Sequence, residues 1–224
     1  MERTIRITGK GKLSVKPDTI RLIMTIEGVH EEYDKAVQTS AEMTEELKDL
    51  LEQPGVDRDL IRTLYYNVNA EYESYQAKDK SWKRRLTGYK FIHRLKLEFP
   101  FDNELLGKIL FALGHSNLRP EFDIEYTVAD TEKAKNELLN KAVADSKEKA
   151  LILSQAADIS LGDIITIDYS RTEIDFVSKP VNRMMLEACC MENDGSAETS
   201  GYNIDIAPDD INVTDNVTIV WGIL

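Results

Sequence analysis

The opening stretch constrains the fold more than any other. Ile5, Ile7, Gly9, Gly11 and Leu13 alternate, Val15-Lys16-Pro17-Asp18 interrupts, and Ile20, Leu22, Met24 and Ile26 alternate again. Alternation is the period of a strand with one buried face. The glycines suggest a phosphate cradle, but such a cradle needs a helix N-terminus directly after them, with Ser or Thr following the lysine. Here Gly11-Lys12 leads to Leu13, no glycine stands four residues beyond Gly11, and the next segment is again strand-like. The sequence therefore predicts two strands turned by Val15 to Asp18. Glycine inside a strand marks a bulge or the close approach of a neighbour.

Beyond these strands, Asp34 to Leu51 carries Val37, Ala41, Met43, Leu47, Leu50 and Leu51 at helical spacing and stops at Pro54-Gly55. Leu60 to Tyr75 and Leu86 to Phe99 are rich in β-branched and aromatic residues and predict a long hairpin, with a charged tip containing Trp82. Asp102 suits the N-cap of a short helix, and Gly114 its left-handed C-terminal position. Phe122, Ile124, Tyr126 and Val128 form another strand. From Asp130 or Thr131 to about Ala157 the stripe Ala134, Leu138, Ala142, Ser146, Ala150, Leu153 and Ala157 predicts a helix. Its small residues let it lie along a sheet. Asp163 to Tyr169 reads as a strand with Ile165, Ile167 and Tyr169 on one face, and Ile211, Val213, Val217, Ile219 and Trp221 as a last strand interrupted by Asp215.

Paired strands fall between helices, so the expected class is α+β. It has a largely antiparallel sheet, a long hairpin and about three helices, the third packed along the sheet. Residues 1–224 read as a single domain, or two lobes, with a mobile loop at about 172–206 where neither period holds.

Composition narrows the function classes. The net charge of -12 repels phosphate backbones and anionic lipid, so no nucleic acid and no membrane are expected as partners. The basic run Lys78, Lys80, Lys83, Arg84 and Arg85 reads as a solvated hairpin tip. The start, Met-Glu-Arg-Thr, enters a strand without a basic and apolar leader, and no run approaches the roughly 20 apolar residues of a membrane helix. A cytoplasmic protein is the expectation.

No catalytic motif stands out. His30, His93 and His115 lie in different elements without zinc-type spacing. Neither Ser14, Ser40 nor Ser154 lies in a nucleophile elbow. The acidic pairs Glu31-Glu32, Glu45-Glu46 and Asp209-Asp210 fall at helix starts, on solvent faces and in turns, where no carboxyl is desolvated. No catalytic, metal or cofactor-binding residue is assigned, and no cofactor is expected.

Four separated pieces resemble the SIMPL family, once catalogued as a domain of unknown function, with periplasmic immunogenic proteins and a kinase-associated signalling protein among its members. They are Gly9-x-Gly11 with Val15-x-Pro17-Asp18, the helix end from Lys141-Ala142 through Lys149-Ala150, Leu161-Gly162-Asp163-Ile164, and Ile211-x-Val213 with Val217-x-Ile219. The resemblance implies an α+β domain that tends to self-associate, with no established catalytic site and with bacterial relatives linked to tolerance of oxidative stress. Many bacterial members carry a signal peptide, which is not expected here, and Pro208-Asp209-Asp210 stands where Pro-Gly-Glu is usual.

Three functional expectations follow. The first is a non-enzymatic, homo-oligomeric interaction module whose interface includes Tyr65, Tyr66, Tyr72, Tyr75 and Trp82, aromatics of the hairpin that ordinary sheet packing would explain equally well. The second is a redox or stress-defence protein acting through Met184, Met185, Cys189, Cys190 and Met191. Against it, Glu187, Glu192 and Asp194 would raise rather than lower the thiol pKa values. The third, an enzyme or small-molecule binder, rests on no residue.

Overall fold

The computed structural model describes residues 3–76, 80–170, 173–179, 201–202 and 206–224. The chain is α+β, with three α-helices and two antiparallel sheets among the described residues. It divides into two compact units, the first formed by Met1–Asp18, Tyr126–Ser178 and Pro208–Leu224 and the second by Thr19–Glu125 and Lys179–Ala207.

In the first unit, β1 (Thr4–Val15) pairs with β8 (Ile211–Ile223) from Thr4 opposite Gly222 to Val15 opposite Ile211. β6 (Leu161–Asp168) takes the other edge of β8, giving the order β1-β8-β6. A short strand, β7 (Val177–Ser178), pairs with Tyr126 and Thr127 at the end of β5 (Glu121–Thr127). Pro17-Asp18 ends β1 as a turn whose Asp18 amide donates to the Thr127 carbonyl at 3.1 Å, while its carboxylate accepts from the Ala129 amide at 2.8 Å.

Helix α3 (Thr131–Ala156) packs on β1 and β8. It starts at Asp130, whose carboxylate accepts from the Lys133 amide at 2.8 Å. Its buried stripe is Ala134, Leu138, Ala142, Ser146, Ala150 and Ser154. Leu153, expected in that stripe, is exposed, and Ser154 takes the buried place. The reason for the small residues lies beneath them. A Cβ on Gly9 would stand 2.1 Å from the Ala142 carbonyl oxygen, and one on Gly11 2.2 Å from that of Leu138. The glycines mark the close approach of a helix backbone. Apolar clusters lie at both ends of this contact: Leu13, Leu138, Phe176, Ile211 and Val213 at one, Ile7, Ala142, Ala150, Val217, Ile219 and Trp221 at the other.

In the second unit, β2 (Thr19–His30) pairs with β4 (Trp82–Pro100), and β4 with β3 (Ile61–Gln76), in the order β3-β4-β2-β5. Ile20, Leu22, Met24, Ile26, Phe91, Leu95, Leu97 and Phe99 are buried on the sheet, with Leu47 and Leu51 of α1 (Tyr33–Glu52) and Leu106, Ile109 and Leu113 of α2 (Asn103–His115) also buried. The face of α1 is turned from the one expected: Ala36, Ser40, Thr44, Leu47 and Leu51 are buried and Val37 is exposed. Asp102 caps α2 by accepting from the amides of Glu104 and Leu105 at 2.9 and 3.0 Å. Gly114 lies inside α2 without a positive φ, and Ser116 caps the helix end instead. Tyr202, from the segment expected to be a mobile loop, donates its amide to the Gly107 carbonyl at 3.2 Å and sets its ring 5.4 Å from that of Phe111.

Candidate interaction surface

Strand length creates an exposed feature of the second unit. β2 ends where His30 meets Tyr89, whereas β4 begins at Trp82 and pairs with β3 out to Gln76. Among the described residues, Trp82 to Gly88 and Glu71 to Gln76 therefore pair as strands only with each other, as a two-stranded arm. A bulge between Glu71 and Tyr72 marks its base. The basic residues Lys83, Arg84 and Arg85, expected in the hairpin tip, lie within β4 itself. The tip is shorter than the charge run suggested, because alternating charged residues are compatible with a strand that has solvent on both faces.

The cross-strand register sorts the arm into two faces. Tyr72 opposes Leu86, Ser74 opposes Arg84 and Gln76 opposes Trp82, while Glu73 opposes Arg85 and Tyr75 opposes Lys83 on the other side. On the first face Arg84 lies 4.9 Å over the Tyr72 ring, and Trp82 is 73% exposed. On the second, Arg85 meets Glu73 at 2.8 Å and lies 5.9 Å from the Tyr75 ring centroid. Both arginines stack on aromatic faces, the geometry of a cation–π contact. Tyr65 and Tyr66 stand at the root of the hairpin, also exposed.

Several charged residues elsewhere on the sheet are paired with one another. Arg21 meets Glu98 at 2.7 Å and Glu125 at 3.4 Å, Lys96 meets Glu98 at 3.0 Å, and Lys179 meets Glu125 at 2.5 Å. An open hollow of about 490 Å³ lies on the same sheet, lined by Thr25, Glu27, Ile92, Arg94, Glu121, Phe122 and Asp123.

Several of the remaining candidates make structural contacts. His93 is buried, with Nδ1 2.9 Å from Thr44 Oγ1, Nε2 2.9 Å from Thr63 Oγ1, and the Tyr66 ring edge-on at 5.1 Å. It ties α1 to β4 and β3. Burial, with a lesser contribution from Lys48, pushes its pKa below the ordinary imidazole value. Ser14 donates to Asp210 at 3.3 Å and Ser154 to the Leu151 carbonyl at 3.0 Å, while the Ser40 hydroxyl is buried without a partner among the described residues. Glu45 is engaged by Lys48 at 2.7 Å and by Arg58, which also bonds Asp49 and Glu52. Its carboxyl is held below its usual pKa chiefly by the Lys48 hydrogen bond. Glu32 meets Lys35 at 3.6 Å just ahead of α1. His115 lies against Phe111 with ring centroids 4.0 Å apart. Among the described residues no group of His, Cys, Asp and Glu could hold a metal ion.

Met184, Met185, Cys189, Cys190 and Met191 lie outside the described residues. Among those described, no helix is long and apolar enough to cross a membrane.

Comparison with curated proteins finds no match. A family model does match, over residues 5–221, and it is described as SIMPL, protein of unknown function (DUF541). That span takes in the glycine pair of β1, the helix stripe lying on it and Ile219 of β8, so the chain belongs to the SIMPL family.

Proposed function

We propose that this chain is a non-enzymatic interaction module that self-associates through the arm formed by the ends of β3 and β4. One observation carries the proposal: from Glu71 to Gln76 and Trp82 to Gly88 the two strands have no third strand among the described residues, yet expose Tyr72, Tyr75, Trp82 and Leu86. A lone two-stranded ribbon is marginal in water, and exposed aromatics beside arginine are typical of interface centres. The non-enzymatic part draws support from the bonds already made by the candidate groups, Ser14 to Asp210, Ser154 to its own helix and Glu45 to Arg58 and Lys48.

Size exclusion with light scattering over a concentration series tests the proposal. Mass should rise above that of the 25.5 kDa chain, and replacing both Tyr72 and Trp82 by serine should return it to that value. A strict monomer at every concentration would overturn the idea.

A further inference from the structure

The sheet of the first unit carries α3 on one face. Ile7, Gly9, Gly11 and Leu13 of β1, with Val213 and Val217 of β8, are buried on the helix side, so the residues between them point the other way. On that outward face β1 presents Arg6, Lys10 and Lys12, all exposed, while β8 presents no charged residue between Asn212 and Thr218. The chain has 40 acidic residues against 28 basic ones, yet none of these three cations makes an ion pair among the described residues.

The register groups them with polar neighbours. Lys10 stands opposite Asn216 and Lys12 opposite Thr214, and neither the Asn216 side-chain amide nor the Thr214 hydroxyl has a partner among the described residues. Thr8 and Thr218 continue the row, bonded to each other at 2.9 Å. Carboxylates stand only at its borders. Asp210 accepts from Ser14 at 3.3 Å, Asp145 is held by Lys149 at 2.7 Å, and Asp168 lies opposite Thr218 on β6.

Several kinds of partner do not fit this face. The free edge of β1 is taken by α3, because Asp145 accepts from the Lys10 amide at 2.6 Å and Lys149 donates to the Thr8 carbonyl at 3.5 Å. A peptide that binds by adding a strand finds those groups engaged. No outward residue from Arg6 to Ser14 or from Asn212 to Thr218 is aromatic, so the face has neither the anchors of a protein interface nor the stacking platform of a single-stranded nucleic acid. What remains is positive charge beside hydroxyl and amide groups. The charge is sparse: along the strand Lys10 and Lys12 stand about 7 Å apart, and Arg6 about 13 Å from Lys10. Such spacing suits a polymer with single anions set at intervals, not a densely sulfated chain.

We propose that the outward face of β1 and β8 binds a polyuronate, an acidic polysaccharide whose carboxylates meet Arg6, Lys10 and Lys12 and whose hydroxyls meet Thr214 and Asn216. The arginine fork matches a carboxylate. Sugar hydroxyls donate and accept, as the Thr214 hydroxyl and the Asn216 amide do. The chain as a whole carries -12, so attraction is confined to this face and falls with salt.

Calorimetric titration of the full chain with a size-defined oligogalacturonate, at low and at physiological salt, tests the proposal. Saturable binding that weakens with salt is expected, and none by the methyl-esterified oligomer, which has lost its charge. Lys10→Gln combined with Lys12→Gln should weaken binding about tenfold at low salt. The melting temperature should stay put, because both side chains are exposed and the Lys10 amide keeps its bond to Asp145. Glutamine at Lys83, Arg84 and Arg85 of the arm should leave binding unchanged. Lack of saturable binding, equal binding of the esterified oligomer, or loss in the arm variant but not in the β1 variant overturns the proposal. Equally tight binding of polyglutamate or oligothymidylate of matched charge also overturns it, since charge alone would then suffice. The reading of the arm is separate, because it stands or falls on the oligomeric state.

Discussion

Gly9 lies so close beneath α3 that a single added carbon would stand 2.1 Å from the carbonyl oxygen of Ala142. The obstacle is backbone, which cannot rotate away as a side chain can. Gly9→Ala must therefore lift the helix or bend the strand. We expect a loss of about 3 kcal/mol, at the upper end of the usual overpacking range. Urea denaturation measures it, and a change below about 0.5 kcal/mol would mean that the helix does not lie on the strand.

His93 should make stability depend on pH. Its folded pKa is depressed by burial, so the unfolded chain takes up the proton first as pH falls. The stabilising difference is fully present above the unfolded value of about 6.5 and is lost as pH falls from there through the folded value. His93→Gln should flatten this part of the curve, read as the urea midpoint between neutral and mildly acidic pH. An unchanged slope would show that another group sets it.

Asp102 satisfies two of the free amides at the start of α2. Asp102→Ala should cost about 1 kcal/mol, and Asp102→Asn much less, because an amide oxygen can still accept. Equal losses would point to charge rather than the hydrogen bonds as the source.

On the arm, Trp82→Ser should leave the melting temperature almost unchanged, since a side chain 73% exposed contributes little to folding. The same substitution should reduce association by at least tenfold. A large drop in melting temperature would instead place Trp82 in the fold's own packing.

Much of this architecture was legible in local periodicity. The alternation of Ile211 to Trp221, the small-residue stripe from Ala134 to Ala150 and the glycine pair each matched a partner that the structure supplies. β6 was legible as a strand but not in its facing, because its register shifts set Ile164 and Ile167 side by side where simple alternation groups Ile165 with Ile167. The assignment of β1 and β2 to different sheets was equally hidden, since their partners lie far along the chain, at Ile211–Ile223 and Trp82–Pro100. Gly114 and Val37 misled for a simpler reason: residue preferences at helix ends and faces are weak beside the packing that decides them. The arm could not be read either, because it depends on where β2 stops relative to β4.

That stopping point at His30 separates two kinds of constraint on the chain. Rungs beyond Tyr89 contribute little to the folding of the unit that carries them, so substitutions there alter what the arm can touch with little penalty to the core. The arm can therefore change in length and chemistry without disturbing the glycine-floored helix contact, which lies in the other unit. If the arm is the self-associating element proposed, its specificity can change through a few exposed residues, by steps that each leave a folded protein.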